Sequence, residues 1–250
     1  MEVAPPAPPT PRRRSRTSLD PRDLAGVVIL AAFLGLALLA VSGGWSAAVD
    51  QKTADMRLWF GSRAAGIVAY LLVTALALFG LLLSHPSNKV DWKASKHLFP
   101  WHKHLAFFSL AFIAAHVAAI VADPYAGVGI LGWLVPGLSS YRSVPVALGT
   151  LGLFALLLTG LTARFTSLLG PGRWLAVHRV ALAAFALAWA HGVLSGTDTR
   201  ALLPIYAVSG ALVALLAASR YWRPLPRSRG TDDPAADRRL APRFRFELWR

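Results

Sequence analysis

Apolar residues in this chain gather into six runs separated by polar and charged stretches, at about 24–41, 64–84, 104–121, 144–163, 175–194 and 201–218. Each run is close to the ~20 residues a helix needs to cross a ~30 Å hydrocarbon layer. The pattern predicts an all-α, polytopic membrane helix bundle with six transmembrane helices over residues 24–219. Residues 1–23 open with Pro5, Pro6, Pro8, Pro9 and Pro11, followed by Arg12, Arg13, Arg14 and Arg16. Such a segment has too little apolar surface to pack, and is read as a disordered tail. Residues 220–250 form a second basic tail, whose end, Phe244 to Arg250, is suited to resting on anionic lipid. The first run has a competing reading as a cleavable export signal after Arg12–Arg16. Its 18 apolar positions exceed a normal signal core, so a retained helix is expected.

Charge orients the spans. Cytoplasmic segments carry the excess of Lys and Arg, and with the N-terminus inside, the inner segments hold five in the first tail, four before the third run (Lys89, Lys93, Lys96, Lys103), three before and within the start of the fifth (Arg164, Arg173, Arg179) and nine from Arg220 on. The outer segments hold only Lys52, Arg57, Arg63, Arg142 and Arg200. Both termini are therefore expected in the cytoplasm, in a cell-membrane protein. The net charge of +14 does not suggest nucleic acid, because the basic residues avoid the apolar runs and sit where lipid headgroups lie. The outer loop at 122–143 is unusually apolar, with Ile130, Leu131, Trp133, Leu134 and Val135. It is expected along the interface or capping the helices, with Trp133 and Tyr141 as belt residues.

The chain has no cysteine, which excludes disulfides, thiolate metal sites and iron–sulfur clusters and leaves histidine as the residue of interest. Four of the seven histidines occur as two similar pairs. His102 and His116 lie fourteen apart on the third run, and His178 and His191 thirteen apart on the fifth, with Trp101-His102-Lys103 echoed by Val177-His178-Arg179. At ~1.5 Å per residue the members of each pair are about 20–21 Å apart along their helices. Both helices run the same way, so His102 falls level with His178 near the inner face and His116 level with His191 near the outer. Haem iron takes two axial imidazoles, and haem between facing helices of a bundle is a known arrangement. Two haems b are the cofactor expectation. An interhelical hydrogen-bonding role is the plainer alternative.

Angular phase sets a condition on this layout. At ~100° per residue, fourteen residues return to within about 40° of the starting direction, whereas thirteen leave the side chains about 140° apart. The fifth helix must therefore tilt, bend or carry a local bulge. His104, two residues past His102, is the alternative inner ligand. His85, beside Pro86, and His97, in the basic loop, are expected to be solvated. Lys103 and Arg179 at the inner level, and Arg63 and Arg142 at the outer, are placed to pair with haem carboxylates. Positive-inside charge and snorkelling explain each equally well on its own.

These histidine spacings, together with Leu58-Trp59 to Arg63, Gly66 to Leu72, Asp123-Pro124-Tyr125 and His191-Gly192 leading to Gly196-Thr197-Asp198-Thr199, resemble the ferric reductase-like transmembrane domain. That family includes ferric reductases, the membrane part of NADPH oxidases and the haem-binding subunit of the bacterial methionine sulfoxide reductase system. The resemblance covers about residues 57–200 and implies that the four paired histidines bind haem. Ferric reductases and NADPH oxidases add a flavin and nicotinamide domain after the last helix. Here some thirty residues follow it, with no glycine-rich dinucleotide turn. A separate reductase, quinol or membrane flavin is the expected donor.

The functional expectation is a haem-b electron-transfer protein that passes electrons from a cytoplasmic or membrane donor to an extracytoplasmic acceptor or partner enzyme. The alternatives are a histidine-lined proton or metal transporter, which predicts acidic partners within the spans, and a non-catalytic assembly subunit.

Overall fold

The computed structural model describes residues 56–88, 92 and 94–222; the first predicted span, 24–41, both predicted tails apart from 220–222, and Lys52 lie outside the described residues. Five helices in this part are long and apolar enough to cross a membrane. We number the elements α1 (Arg57–Ser84), α2 (Ser95–Ala122), α3 (Gly129–Leu134), α4 (Ser143–Arg164), α5 (Thr166–Leu169), α6 (Pro171–His178), α7 (Val180–Ser195) and α8 (Thr199–Trp222). With no water in the hydrocarbon layer, each run must satisfy its backbone internally, and a helix is the way a single segment does so. α1 and α2 begin seven and nine residues before the corresponding apolar runs. In both cases the added turns carry polar residues that hydropathy alone assigns to loops.

The bundle consists of two helix pairs with matching geometry. α1 packs along α2, and α4 packs along α7, while α1 also touches α7 and α8. Between them lies a core of Tyr70, Val73, Leu81, Phe185, Tyr206 and Val213. Apolar association is not driven by water inside a bilayer, so close backbone approach and interhelical hydrogen bonds matter more. Ring-to-glycine contacts supply the first: a Cβ on Gly192 would sit 2.8 Å from Tyr206 Oη, and one on Gly210 would sit 3.0 Å from Trp189 Nε1. The second comes from Tyr70, whose hydroxyl bonds Ser209 Oγ, and from Trp189 Nε1–H, which donates to the Tyr206 carbonyl at 2.9 Å. Leu157, Leu161, Leu203, Val208, Leu212 and Leu215 point outward, as lipid-facing positions should.

The predicted loop at 122–143 folds over one end of the bundle as a cap containing α3. Trp59 is met edge-on by Tyr125 and Tyr141, at 5.5 and 5.7 Å between ring centres, and Trp133 packs on the same cluster. Trp133 and Tyr141 are thus packed on protein within this cap. At the opposite end the prediction for His85 is wrong. Its ring is 2 % exposed, accepts the Ser87 N–H at Nδ1 (3.2 Å), stacks on Trp92 and has Ser219 Oγ 3.4 Å from Nε2. His97 is exposed as expected, although it lies in the first turn of α2 rather than in a loop.

The same end is tied by Asn88, which is also 2 % exposed. Its amide donates to Leu83 O (3.1 Å) and Ser95 Oγ (2.8 Å), and its carbonyl oxygen accepts the Ala94 N–H (2.8 Å). These bonds close the turn between α1 and α2 and so set the height of one helix against the other. Asn88→Ala leaves buried donors and acceptors unpaired and is expected to cost about 1–3 kcal/mol. A lowered thermal midpoint of the detergent-solubilised protein checks this; an unchanged midpoint counts against the assignment.

Candidate functional site

The two histidine pairs face each other across the gap between the helix pairs. His102 and His178 have ring centres 6.3 Å apart with planes at 72°, and His116 and His191 repeat this at 6.3 Å and 73°. The first pair lies at the Asn88 end and the second at the α3 end. The phase condition on the fifth run is met by a break: α6 ends at His178 and α7 starts at Val180, with Arg179 between. There Leu182 N–H bonds Arg179 O at 3.2 Å, a three-residue closure. A 3₁₀ turn advances about 120° and 2.0 Å per residue against about 100° and 1.5 Å in an α-helix. Each overwound residue thus adds about 20° and 0.5 Å, which moves both phase and height toward those of a fourteen-residue spacing.

Helices α1 and α4 hold the rings from behind. His116 Nδ1–H donates to Ser62 O at 2.7 Å and His191 Nδ1–H to Pro145 O at 2.8 Å. A bond at Nδ1 fixes the tautomer and leaves Nε2, on the far side of the ring, as a lone-pair donor. Ser195 Oγ sits 3.5 Å from both ring nitrogens of His191, but its proton goes to His191 O. At the other level, Leu76 O and Thr159 O face His102 and His178, yet neither Nδ1 reaches hydrogen-bond geometry. The four carbonyls repeat the histidine spacing, fourteen residues from Ser62 to Leu76 and fourteen from Pro145 to Thr159.

Glycine explains why the rings come so close. The side chain at i+4 in a helix leans back over the carbonyl at i. Gly66, Gly80 and Gly149 stand four residues after Ser62, Leu76 and Pro145. A Cβ at Gly66 would lie 2.9 Å from His116 Nδ1, one at Gly149 2.7 Å from His191 Nδ1, and one at Gly80 3.2 Å from His102 Cε1. Ala163 occupies the fourth such place, after Thr159. Sequence reasoning missed these glycines, although the fourteen-residue step from Gly66 to Gly80 matches that from His102 to His116.

A cavity opens beside His116 and His191, lined by Ser62, Arg63, Tyr70, Thr150, Asp198 and Tyr206 among others. Of the four cations proposed for haem carboxylates, Arg63 is in this lining, where it forms an ion pair with Asp198 and lies over Trp59. The Arg63–Asp198 pairing was not anticipated. Arg142 is outside the lining and has a different task. From a left-handed backbone conformation (φ 39°) its Nη1 donates to the α7 carbonyl of Leu194 at 2.9 Å, which fixes the start of α4 against the end of α7. Lys103 and Arg179 are exposed at the rim of the other level. His104 turns back to its own helix, with Nδ1 2.7 Å from Pro100 O, so it is His102 that faces His178. Midway between the levels Tyr70 and Phe185 stack, 6.5 Å between centres.

The donor set fits haem. Neutral imidazole is a haem ligand, and His102 with His178 and His116 with His191 are the residues that would hold the group, two facing rings to each site. Both pairs have the same separation, 6.3 Å between ring centres, and at the outer level the cavity gives room beside the rings.

A multi-pass membrane bundle with two stacked pairs of facing imidazoles is the class these observations define. A family model, the ferric reductase like transmembrane component, matches residues 65–189, and the chain belongs to that family, whose members are typically haem-containing membrane electron-transfer proteins. The match includes His102, His116 and His178. No curated protein and no solved structure gives a match.

Gly149→Ala pushes a methyl group into the His191 ring, an overpacking expected to cost about 1–3 kcal/mol. In protein purified with haem, any signal that depends on His116 and His191 should be lost or altered, and any that depends on His102 and His178 should be retained. Gly160→Ala, where an added Cβ meets nothing within 4 Å, is the control expected to leave both unchanged. Equal spectra for the two variants would remove the cradle role.

Proposed function

We propose that this chain is a transmembrane electron conduit with two bis-histidine haem b sites, His102 with His178 near the cytoplasmic face and His116 with His191 near the opposite face. The observation that carries this reading is the common ring separation of 6.3 Å at two levels. Haem, when bound, supplies reversible one-electron chemistry at its iron. The chain holds the ligand rings at fixed depth and tautomer, keeps water from the interior, and sets the spacing between levels through Asn88 at one end and Arg142 at the other. Tyr70 and Phe185 place stacked aromatic side chains between the levels.

The Lys and Arg distribution supports six spans, the first over 24–41, with cytoplasmic tails at 1–23 and 220–250. Electrons then enter at the His102 level from a reductase, quinol or flavin donor and leave at the His116 level to an extracytoplasmic acceptor. Arg63, at the mouth of the outer cavity, is the cation best placed to meet an outer haem carboxylate, with Asp198 as the partner it would share. Lys103 and Arg179 serve the inner level from the rim.

Haem quantitation on the purified protein tests the reading. Two haems per chain are expected, one after His116→Ala/His191→Ala, one after His102→Ala/His178→Ala, and none when all four are replaced. Redox titration should resolve two one-electron steps in the wild type and one in each double variant. A wild-type protein without haem, or a quadruple variant that keeps it, would sink the proposal.

A further inference from the structure

The indole of Trp174 is a donor without an acceptor. It stands on α6 one turn before His178, its ring stacked on the imidazole at 5.2 Å and 24°. Its Nε1 is sealed from the exterior and finds no hydrogen-bond partner among the described residues. Indole N–H can only donate, and leaving it unpaired in the interior costs about 1–3 kcal/mol. A membrane-belt tryptophan keeps its N–H among headgroups, which an inaccessible Nε1 cannot do. The fold does satisfy an interior indole elsewhere, since Trp189 Nε1–H reaches Tyr206 O at 2.9 Å. The Trp174 N–H is thus a donor with no acceptor among the described residues.

We infer that Trp174 binds the inner haem through its Nε1–H, donating to one of the carboxylates that the group carries. The inference rests on the conduit reading and extends it to a residue with no charge and no ligand role. Trp174 lies on the side of His178 toward Arg173 and the basic rim, the direction in which a charged carboxylate escapes the apolar centre of the bilayer. Lys103 and Arg179, both exposed, reach that carboxylate from outside. Trp174 donates from within and fixes which edge of the haem faces the rim. It is a binding and positioning residue, and its stack on His178 holds the ligand ring in the same act.

The test compares Trp174→Phe, which keeps an aromatic ring for the stack and deletes the N–H, with Trp174→Ala, which deletes both. It uses the full chain loaded with haem. In W174F both haems should be retained, the haem-carboxylate band in redox-difference infrared spectra should shift, and the inner midpoint potential should move negative, because an unbonded carboxylate favours ferric iron. The outer midpoint should not move. W174A should in addition lose inner haem during purification. If W174F fails to accumulate, Trp174→His, which keeps a ring N–H, should preserve the wild-type band; a shifted band there overturns the inference. A W174F protein with an unshifted band and midpoint also overturns it and leaves Trp174 a packing residue. Fewer than two haems in the wild type overturns the conduit reading first, and quantitation shows that separately.

Discussion

The bond from a histidine ring to the carbonyl of the neighbouring helix is the contact on which this bundle depends. Inside a bilayer, helices gain little by burying apolar surface against each other, and specificity comes from close packing and the few polar contacts available. Ser62 O and Pro145 O are such contacts, each opened by a glycine four residues on, so that His116 and His191 lie against α1 and α4 with a defined nitrogen facing inward. The same step of fourteen residues places Leu76 and Thr159 behind His102 and His178. Two helix pairs with the same carbonyl spacing therefore present four rings at two depths.

The two levels are nevertheless chemically different. At the α3 end the ring N–H groups are bound to backbone, and a cavity with an Arg63–Asp198 pair opens beside them. At the other end the Nδ1 atoms of His102 and His178 face Leu76 O and Thr159 O without closing a hydrogen bond, and the Trp174 indole lacks a partner among the described residues. A hydrogen bond to the outer nitrogen of an axial imidazole strengthens its donation to a metal. One fold thus gives the two histidine pairs different surroundings.

Height and phase are controlled by residues that touch neither ring pair. Asn88 closes the α1–α2 turn, Arg142 reaches across to the end of α7, and the overwound turn at Arg179 moves a thirteen-residue spacing toward its fourteen-residue counterpart. The aromatic cap around Trp59 closes one end, and the His85–Trp92 stack packs the other. Each fixes helix ends, where a small error would be carried along the whole span.

The sequence by itself determined the helical membrane class, the positions of the five described spans, and the equal depths of two histidine pairs. Those properties are one-dimensional: run length is set by bilayer thickness, and depth by rise per residue. Only the tertiary structure decided that Arg179 breaks the fifth run, that Gly66, Gly80 and Gly149 cradle the rings, that His85 is buried and that Arg63 pairs with Asp198. Each of these depends on which helix lies against which and at what rotation. Residues such as Arg63 and Asp198, 135 apart in the chain, meet only after that packing is fixed. Hydropathy reports how deep a side chain lies, whereas the direction it faces is set by its neighbours.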